Sequence, residues 1–92
     1  MNTFEVVRKI AIQETGWDIT NVDLNSNFND LGINSIEFVK MIVLVEDALN
    51  IEFEDEYLDY GKYNSIDEWI KYVEQKVLDN ELNTEKNKGE NL

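Results

Sequence analysis

The stretch Asp30-Leu31-Gly32-Ile33-Asn34-Ser35-Ile36 precedes the longest clear helical pattern of the chain and decides how the fold is read. Asn34 is a typical helix N-cap, and Glu37, three residues later, can complete a capping box. Ser35 then takes the first helical position, where its hydroxyl is not needed for capping and is free to point outward. Gly32 lets the backbone turn sharply just upstream. The pattern therefore predicts an exposed serine at the positive end of a helix, which favours a phosphate group.

The helix that follows this stretch is predicted over residues 35–49. Its core-facing residues follow helical spacing and are Phe38, Met41, Ile42, Val45 and Leu49. The opposite stripe consists of Ile36, Lys40, Val43 and Asp47. Two apolar residues on an exposed stripe are either ordinary surface residues or part of a surface that binds a partner. The spacing alone leaves both interpretations open.

Upstream of the stretch, the pattern predicts one helix and one long connection. A helix over residues 2–15 carries an apolar stripe of Phe4, Val7, Ile10 and Ala11 and ends at Gly16. Residues 16–33 are rich in turn-forming Asn and Asp, yet they hold seven large apolar residues: Trp17, Ile19, Val22, Leu24, Phe28, Leu31 and Ile33. We therefore expect an ordered loop that packs on the core, and a structured loop of this length indicates function.

Residues 50–64 are short and acidic, and a short third helix is predicted from Asp55 to Tyr60. Acidic loops can bind calcium, and an EF-hand loop needs oxygen ligands at alternate positions and a glycine at the sixth position. Placing Gly61 at the sixth position of such a loop puts Leu58 and Tyr60 where oxygen ligands are needed. The segment therefore does not match the ligand spacing of an EF-hand, and no metal site is predicted.

The last helix is predicted over residues 65–78, with Ser65 as N-cap and Glu68 completing a second capping box. Its apolar stripe consists of Ile66, Trp69, Ile70, Val73 and Val77. Residues 80–92 are polar and predict a disordered tail after a single folded domain at residues 1–79. The fold class is therefore all-α: a four-helix bundle with a long ordered loop between helices 1 and 2 and a short third helix.

The overall composition argues against several classes of function. The 92 residues carry a net charge of −12, which argues against nucleic acid and against a membrane surface and favours basic protein partners. The chain has no His and no Cys, so the commonest general base and the thiolate nucleophile are both missing. The sequence therefore gives little support to the interpretation that the protein is an enzyme. We expect a soluble, cytoplasmic protein, because no signal peptide or membrane span is visible. We also expect it to be a monomer.

Taken together, these residues resemble the acyl and peptidyl carrier proteins. The resemblance covers about residues 3–78 and is carried by the stretch from Asp30 to Ile36, the helix after it, and the spacing of Ile66, Ile70 and Val73 in the last helix. It implies the four-helix bundle of this family. It also implies that Ser35 is the attachment site of a covalent 4′-phosphopantetheine arm, flanked by Asn34 and Gly32.

The resemblance further implies the partners and the role of the chain. A phosphopantetheinyl transferase would add the arm, and its thiol would hold an acyl, aminoacyl or peptidyl group as a thioester for loading, modifying and unloading enzymes. The partner surface would be the stripe Ile36, Lys40, Val43 and Asp47. Two departures from the family pattern are Asn34, where Asp is typical, and Lys40, where fatty-acid carriers have an acid.

Asn34 bears on which transferase recognises the site, and Lys40 favours a carrier of nonribosomal peptide or polyketide type over a carrier of fatty-acid synthesis. Met1 and the polar tail lead us to expect a free-standing protein. The alternative is an acidic helical interaction domain that binds a basic partner and has no prosthetic group. In that case Ser35 only begins a helix.

Overall fold

The computed structural model describes the backbone of residues 2–90 and the side chains of residues 2–82. Its α-helices are α1 (Thr3–Thr15), α2 (Ser35–Leu49) and α3 (Ile66–Glu90), and its 3₁₀ turns are Asn29–Leu31, Asp55–Leu58 and Tyr60–Lys62. The described backbone contains no strand, so the predicted all-α fold class is confirmed. Within that part of the chain, no helix combines the length and the apolar character needed to cross a lipid bilayer.

The short third helix predicted from Asp55 to Tyr60 is not one continuous helix, because the segment forms two separate 3₁₀ turns. Asp59 lies between them in an extended conformation, with φ −99° and ψ 120°. Its side chain accepts a hydrogen bond from the backbone N–H of Gly61 at 2.9 Å. Such a bond to the backbone two residues ahead competes with the helical pattern. The bundle therefore has three α-helices and a third segment made of turns.

Tyrosine side chains fix this third segment against α3. The ring of Tyr57 stacks on that of Tyr72 with centroids 4.4 Å apart. The Tyr63 hydroxyl donates to the carbonyl of Tyr57 at 2.8 Å, and the Tyr72 hydroxyl accepts from the N–H of Glu54 at 3.1 Å. Burial raises the pKa of Tyr63 well above its usual value. These ring contacts and hydroxyl hydrogen bonds hold the two turns against α3.

The long connection between α1 and α2 packs on the core, as the sequence predicts. Ile19, Phe28 and Ile33 from this loop are buried, and three further apolar residues of the loop are partly buried against the core. Trp17 is the exception, because 42 % of it is exposed. The loop is thus a structural element of the domain, and its tryptophan lies on the surface.

The same loop completes the start of α3 with its backbone. The carbonyl of Ser26 accepts the N–H of Ile66 at 2.8 Å, and the carbonyl of Leu24 accepts the N–H of Asp67 at 3.0 Å. The first N–H groups of an α-helix have no partner within the helix. Two of them are satisfied here by residues about forty positions earlier in the chain, which joins the loop to the last helix.

Aromatic side chains form the centre of the core. Trp69 of α3 is fully buried and packs against Phe28 and Phe38, with ring centroids 5.6 and 6.2 Å away. The core positions predicted for α2 and α3 are buried except Leu49 and Val77, which are partly buried. The loop, α2 and α3 therefore meet at one aromatic cluster.

The last helix continues past its predicted end at residue 78, because α3 extends to Glu90. Residues 79–88 contain neither glycine nor proline, so nothing in the sequence stops the helical hydrogen bonds there. The division into a folded domain at residues 1–79 and a polar tail at 80–92 stays a prediction. The side chains of residues 83–92 lie outside the described part of the chain.

Ser65 caps α3, and its replacement by alanine should lower the free energy of unfolding by about 1 kcal/mol. Its hydroxyl oxygen accepts the N–H of Glu68 at 3.2 Å, whereas the Glu68 carboxylate accepts from Asn64 and not from Ser65. Urea unfolding of Ser65→Ala beside Ser26→Ala measures this. Ser26 is the control because the loop uses its backbone carbonyl, which alanine retains. Equal stability of the two variants would contradict the cap.

Candidate functional site

The start of α2 has the local geometry that the sequence predicts. The Asn34 side chain accepts the N–H of Glu37 at 2.8 Å, and the Glu37 carboxylate accepts the N–H of Asn34 at 3.2 Å. Both bonds of the capping box are therefore present. Just upstream, Gly32 has φ +74°, a left-handed conformation that glycine adopts without strain. The turn and the cap together fix the direction in which α2 begins.

Ser35 is the first residue of α2, and its side chain is exposed. Among the described residues its hydroxyl has no hydrogen-bond partner, because Asn34 and Glu37 already satisfy the cap. The helix dipole places a partial positive charge at this end, and free backbone N–H groups point the same way. The hydroxyl is therefore accessible, and a phosphate attached to it would be stabilised by the helix.

The two other serines are placed differently. The Ser65 hydroxyl is used as an N-cap, and Ser26 is half-buried in the long loop, where its carbonyl bonds to α3. Only Ser35 combines an exposed hydroxyl, the start of a long helix and no structural hydrogen bond within the described residues. The sequence distinguishes Ser35 from Ser65, because Ser65 is needed as a cap. The structure distinguishes Ser35 from Ser26, because Ser26 is half-buried in the loop.

The stripe predicted to be exposed on α2 is exposed in the structure. Ile36 is 67 % exposed and Val43 is 54 % exposed, and Lys40 and Asp47 are exposed as well. Val39, which the sequence reasoning missed, is 40 % exposed and lies beside them. Its position three residues after Ile36 could have placed it there. We call this surface the α2 face; it consists of Ile36, Val39, Lys40, Val43 and Asp47.

The site presents the Ser35 hydroxyl to solvent, with no activating base beside it among the described residues. A serine acts as a nucleophile when a neighbouring base activates it, and no side chain of the described residues forms a hydrogen bond with the Ser35 hydroxyl. The sequence contains no His or Cys. The residues fit a covalent phosphate ester at Ser35, because the oxygen is exposed and the positive end of a helix lies next to it.

Comparison with known proteins agrees with this geometry. The model of a family described as "Phosphopantetheine attachment site" matches residues 5–73 of the chain. The acyl carrier protein of Streptococcus pneumoniae serotype 4 is 33% identical over 77 residues, which cover 84% of this chain and 99% of that protein. The acyl carrier protein of Guillardia theta is 32% identical over 75 residues, covering 80% of this chain and 90% of that protein. No solved structure matches the chain.

The family match and the relatives define the chain's general role. It is a non-catalytic carrier with a covalently attached 4′-phosphopantetheine, and it works with a phosphopantetheinyl transferase and with the enzymes of a pathway. The alternative of an acidic interaction domain without a prosthetic group is therefore not retained. The matched residues span the long loop, the start of α2 and the first turns of α3. The chain belongs to the acyl and peptidyl carrier protein family.

Proposed function

We propose that Ser35 carries the 4′-phosphopantetheine arm. The observation that supports this most strongly is the exposed Ser35 hydroxyl, which has no hydrogen bond within the described residues and lies at the N-terminus of α2. Asn34 would support the site by capping the helix, and Gly32 by forming the turn before it. The arm supplies the thiol that the chain itself lacks.

We further propose that the cargo belongs to nonribosomal peptide or polyketide-type biosynthesis. Lys40 on the α2 face supports this over fatty-acid synthesis. It stands where the family pattern of fatty-acid carriers has an acid. Fewer negative charges around the site favour partner enzymes whose docking surfaces are less basic than those of fatty-acid synthesis.

The α2 face is proposed as the docking surface for the transferase and the pathway enzymes. It places exposed apolar side chains directly after Ser35, and apolar anchors carry most of the energy of an interface. The net charge of −12 would steer a basic partner toward the protein from a distance. We propose that the protein acts as a cytoplasmic monomer.

The attachment site can be tested by modification of the purified protein. Incubation with coenzyme A and a broad-specificity transferase should add one phosphopantetheinyl group, and mass spectrometry of proteolytic peptides should place it on Ser35. Attachment at Ser26 or Ser65 would contradict the proposal. So would an unmodified protein after treatment with several transferases, which would remove the basis for a carrier function at this serine.

Val43→Asp should fold normally and be modified slowly. Val43 is 54 % exposed, so its replacement should change the free energy of unfolding by less than about 0.5 kcal/mol. If the α2 face docks the transferase, a carboxylate at this position would have to be desolvated in the interface. The rate of arm transfer and a thermal melt should be measured on the same preparation.

Two outcomes would contradict the docking role of Val43. If Val43→Asp unfolds, the side chain contributes to the core more than its exposure indicates. If it folds and is modified at the parent rate, the docking surface lies elsewhere on the protein.

A further inference from the structure

Lys40 lies within the α2 face without an ion pair, although the chain is strongly acidic. Among the side chains of residues 2–82, the basic groups that form ion pairs with carboxylates are Arg8, Lys62, Lys71 and Lys76. Lys9 and Lys40 form none within that range. In a chain with a net charge of −12, carboxylates are abundant, so an unpaired lysine on a functional face calls for a local explanation.

The sequence of α2 offers Lys40 few carboxylates within reach. Helical neighbours that could pair with it lie three or four residues away. Glu37 is the acid within this range, and its carboxylate already bonds to the N–H of Asn34 at 3.2 Å. The position four residues ahead is Leu44, and Asp47 lies about 10 Å along the helix axis. In the structure this carboxylate takes part in the capping box beside Ser35 and forms no ion pair with Lys40.

The surroundings of Lys40 are apolar. Ile36 lies one turn before it, Val43 one turn after it and Val39 next to it, and all three are exposed. An enzyme that covers these side chains also removes water from the ammonium group between them. Desolvating a charge is unfavourable unless it gains an oppositely charged partner with hydrogen bonds. No carboxylate among the described side chains pairs with Lys40, so an enzyme that covers it would stabilise it by supplying one.

We propose that Lys40 is a specificity determinant of docking, which pairs with a carboxylate on the cognate enzymes and rejects enzymes with a uniformly basic docking surface. This inference rests on the proposed role of the α2 face. The other acids of the protein still attract a basic partner at long range. At contact, Lys40 discriminates among such partners, because like charges placed together in an interface are strongly unfavourable.

The test uses a malonyl transferase chosen for its basic docking surface as the probe. The parent protein, Lys40→Glu, Lys40→Gln and Lys9→Glu are first converted to the arm-bearing form, and the amounts are matched by mass spectrometry. Lys9→Glu is the matched control, because it alters the net charge by the same amount on α1 and replaces the other lysine that has no ion pair among the side chains of residues 2–82. Malonyl transfer to each protein is then measured as kcat/KM.

Lys40→Glu should be loaded about tenfold faster than the parent, with Lys40→Gln between them and Lys9→Glu close to the parent. Equal effects of Lys40→Glu and Lys9→Glu would show that only net charge matters and would overturn the proposal. The proposal would also be overturned if kcat/KM for Lys40→Glu did not exceed that of the parent. This includes the result that none of the four proteins is loaded. Thermal melts of the four proteins exclude a folding effect.

Substitutions in the malonyl transferase test whether Lys40 pairs with a carboxylate on the partner. Each basic residue of its docking surface is replaced singly by Glu. At least one replacement should raise kcat/KM for the parent protein and lower it for Lys40→Glu. That replacement identifies the position on the transferase that faces Lys40. If none does, the proposed pairing is wrong. Failure of every variant to accept the arm would instead contradict the function proposed for Ser35.

Discussion

Replacing Ser35 with alanine is expected to abolish attachment of the phosphopantetheine arm and leave the fold intact. The loss should be complete, because alanine has no oxygen to form the phosphate ester. The fold should survive because the Ser35 hydroxyl makes no hydrogen bond among the described residues and Asn34 supplies the cap. Alanine is also a better helix former than serine, so stability should change by less than about 0.5 kcal/mol.

The measurement is intact-protein mass spectrometry after incubation with coenzyme A and a transferase, beside a thermal melt. Ser26→Ala is the matched control: it removes a hydroxyl of the same type, and its effect on stability and on modification should be small. A Ser35→Ala protein that still gains the arm would disprove the assignment. An unfolded Ser35→Ala protein would mean that the hydroxyl has a structural role not visible in its contacts.

Replacing Trp69 with alanine should cost about 3 kcal/mol of unfolding free energy, the largest stability effect that we expect from one substitution here. Trp69 is fully buried, and its ring packs against Phe28 from the long loop and Phe38 from α2. Its removal leaves a cavity where three parts of the chain meet. Because small domains are only marginally stable, a loss of this size should lower the melting temperature by more than about 10 °C.

Two comparisons make the Trp69 experiment specific. Trp17→Ala removes the other tryptophan, which is 42 % exposed, and should cost much less. Trp69→Phe should also cost less than Trp69→Ala, since it keeps most of the buried ring and removes the indole N–H, a buried donor without a hydrogen-bond partner in the described residues. Similar urea midpoints for Trp69→Ala and Trp17→Ala would show that the aromatic cluster does not stabilise the domain.

Prediction from the sequence is most successful where the interactions are local. The bounds of α1 and α2 and the Asn34–Glu37 capping box agree with the structure, because each depends on residues within one or two turns. The exposed stripe of α2 is confirmed for the same reason: the helical period fixes which residues oppose Phe38 and Ile42. The display of Ser35 follows from these local features.

Prediction fails where a distant part of the chain competes with a local preference. In the third segment, for example, the ring of Tyr57 stacks on Tyr72 of α3, and this contact is not visible in the local sequence. Trp17 was expected to pack inward with the other apolar residues of the loop. Hydrophobicity gives no sign of which of these residues reach the core, and the path of the loop leaves this one exposed.

The sequence by itself determined where α2 begins, which side of it is buried and that the hydroxyl of Ser35, unlike that of Ser65, is not needed for capping, since capping and helical periodicity act over a few residues. Only the tertiary structure decided that the carbonyls of Leu24 and Ser26 complete the start of α3 and that Lys40 has no carboxylate partner within the described part of the chain. These features depend on how segments far apart in sequence approach one another. No local pattern encodes those distances, because they follow from the packing of the whole core.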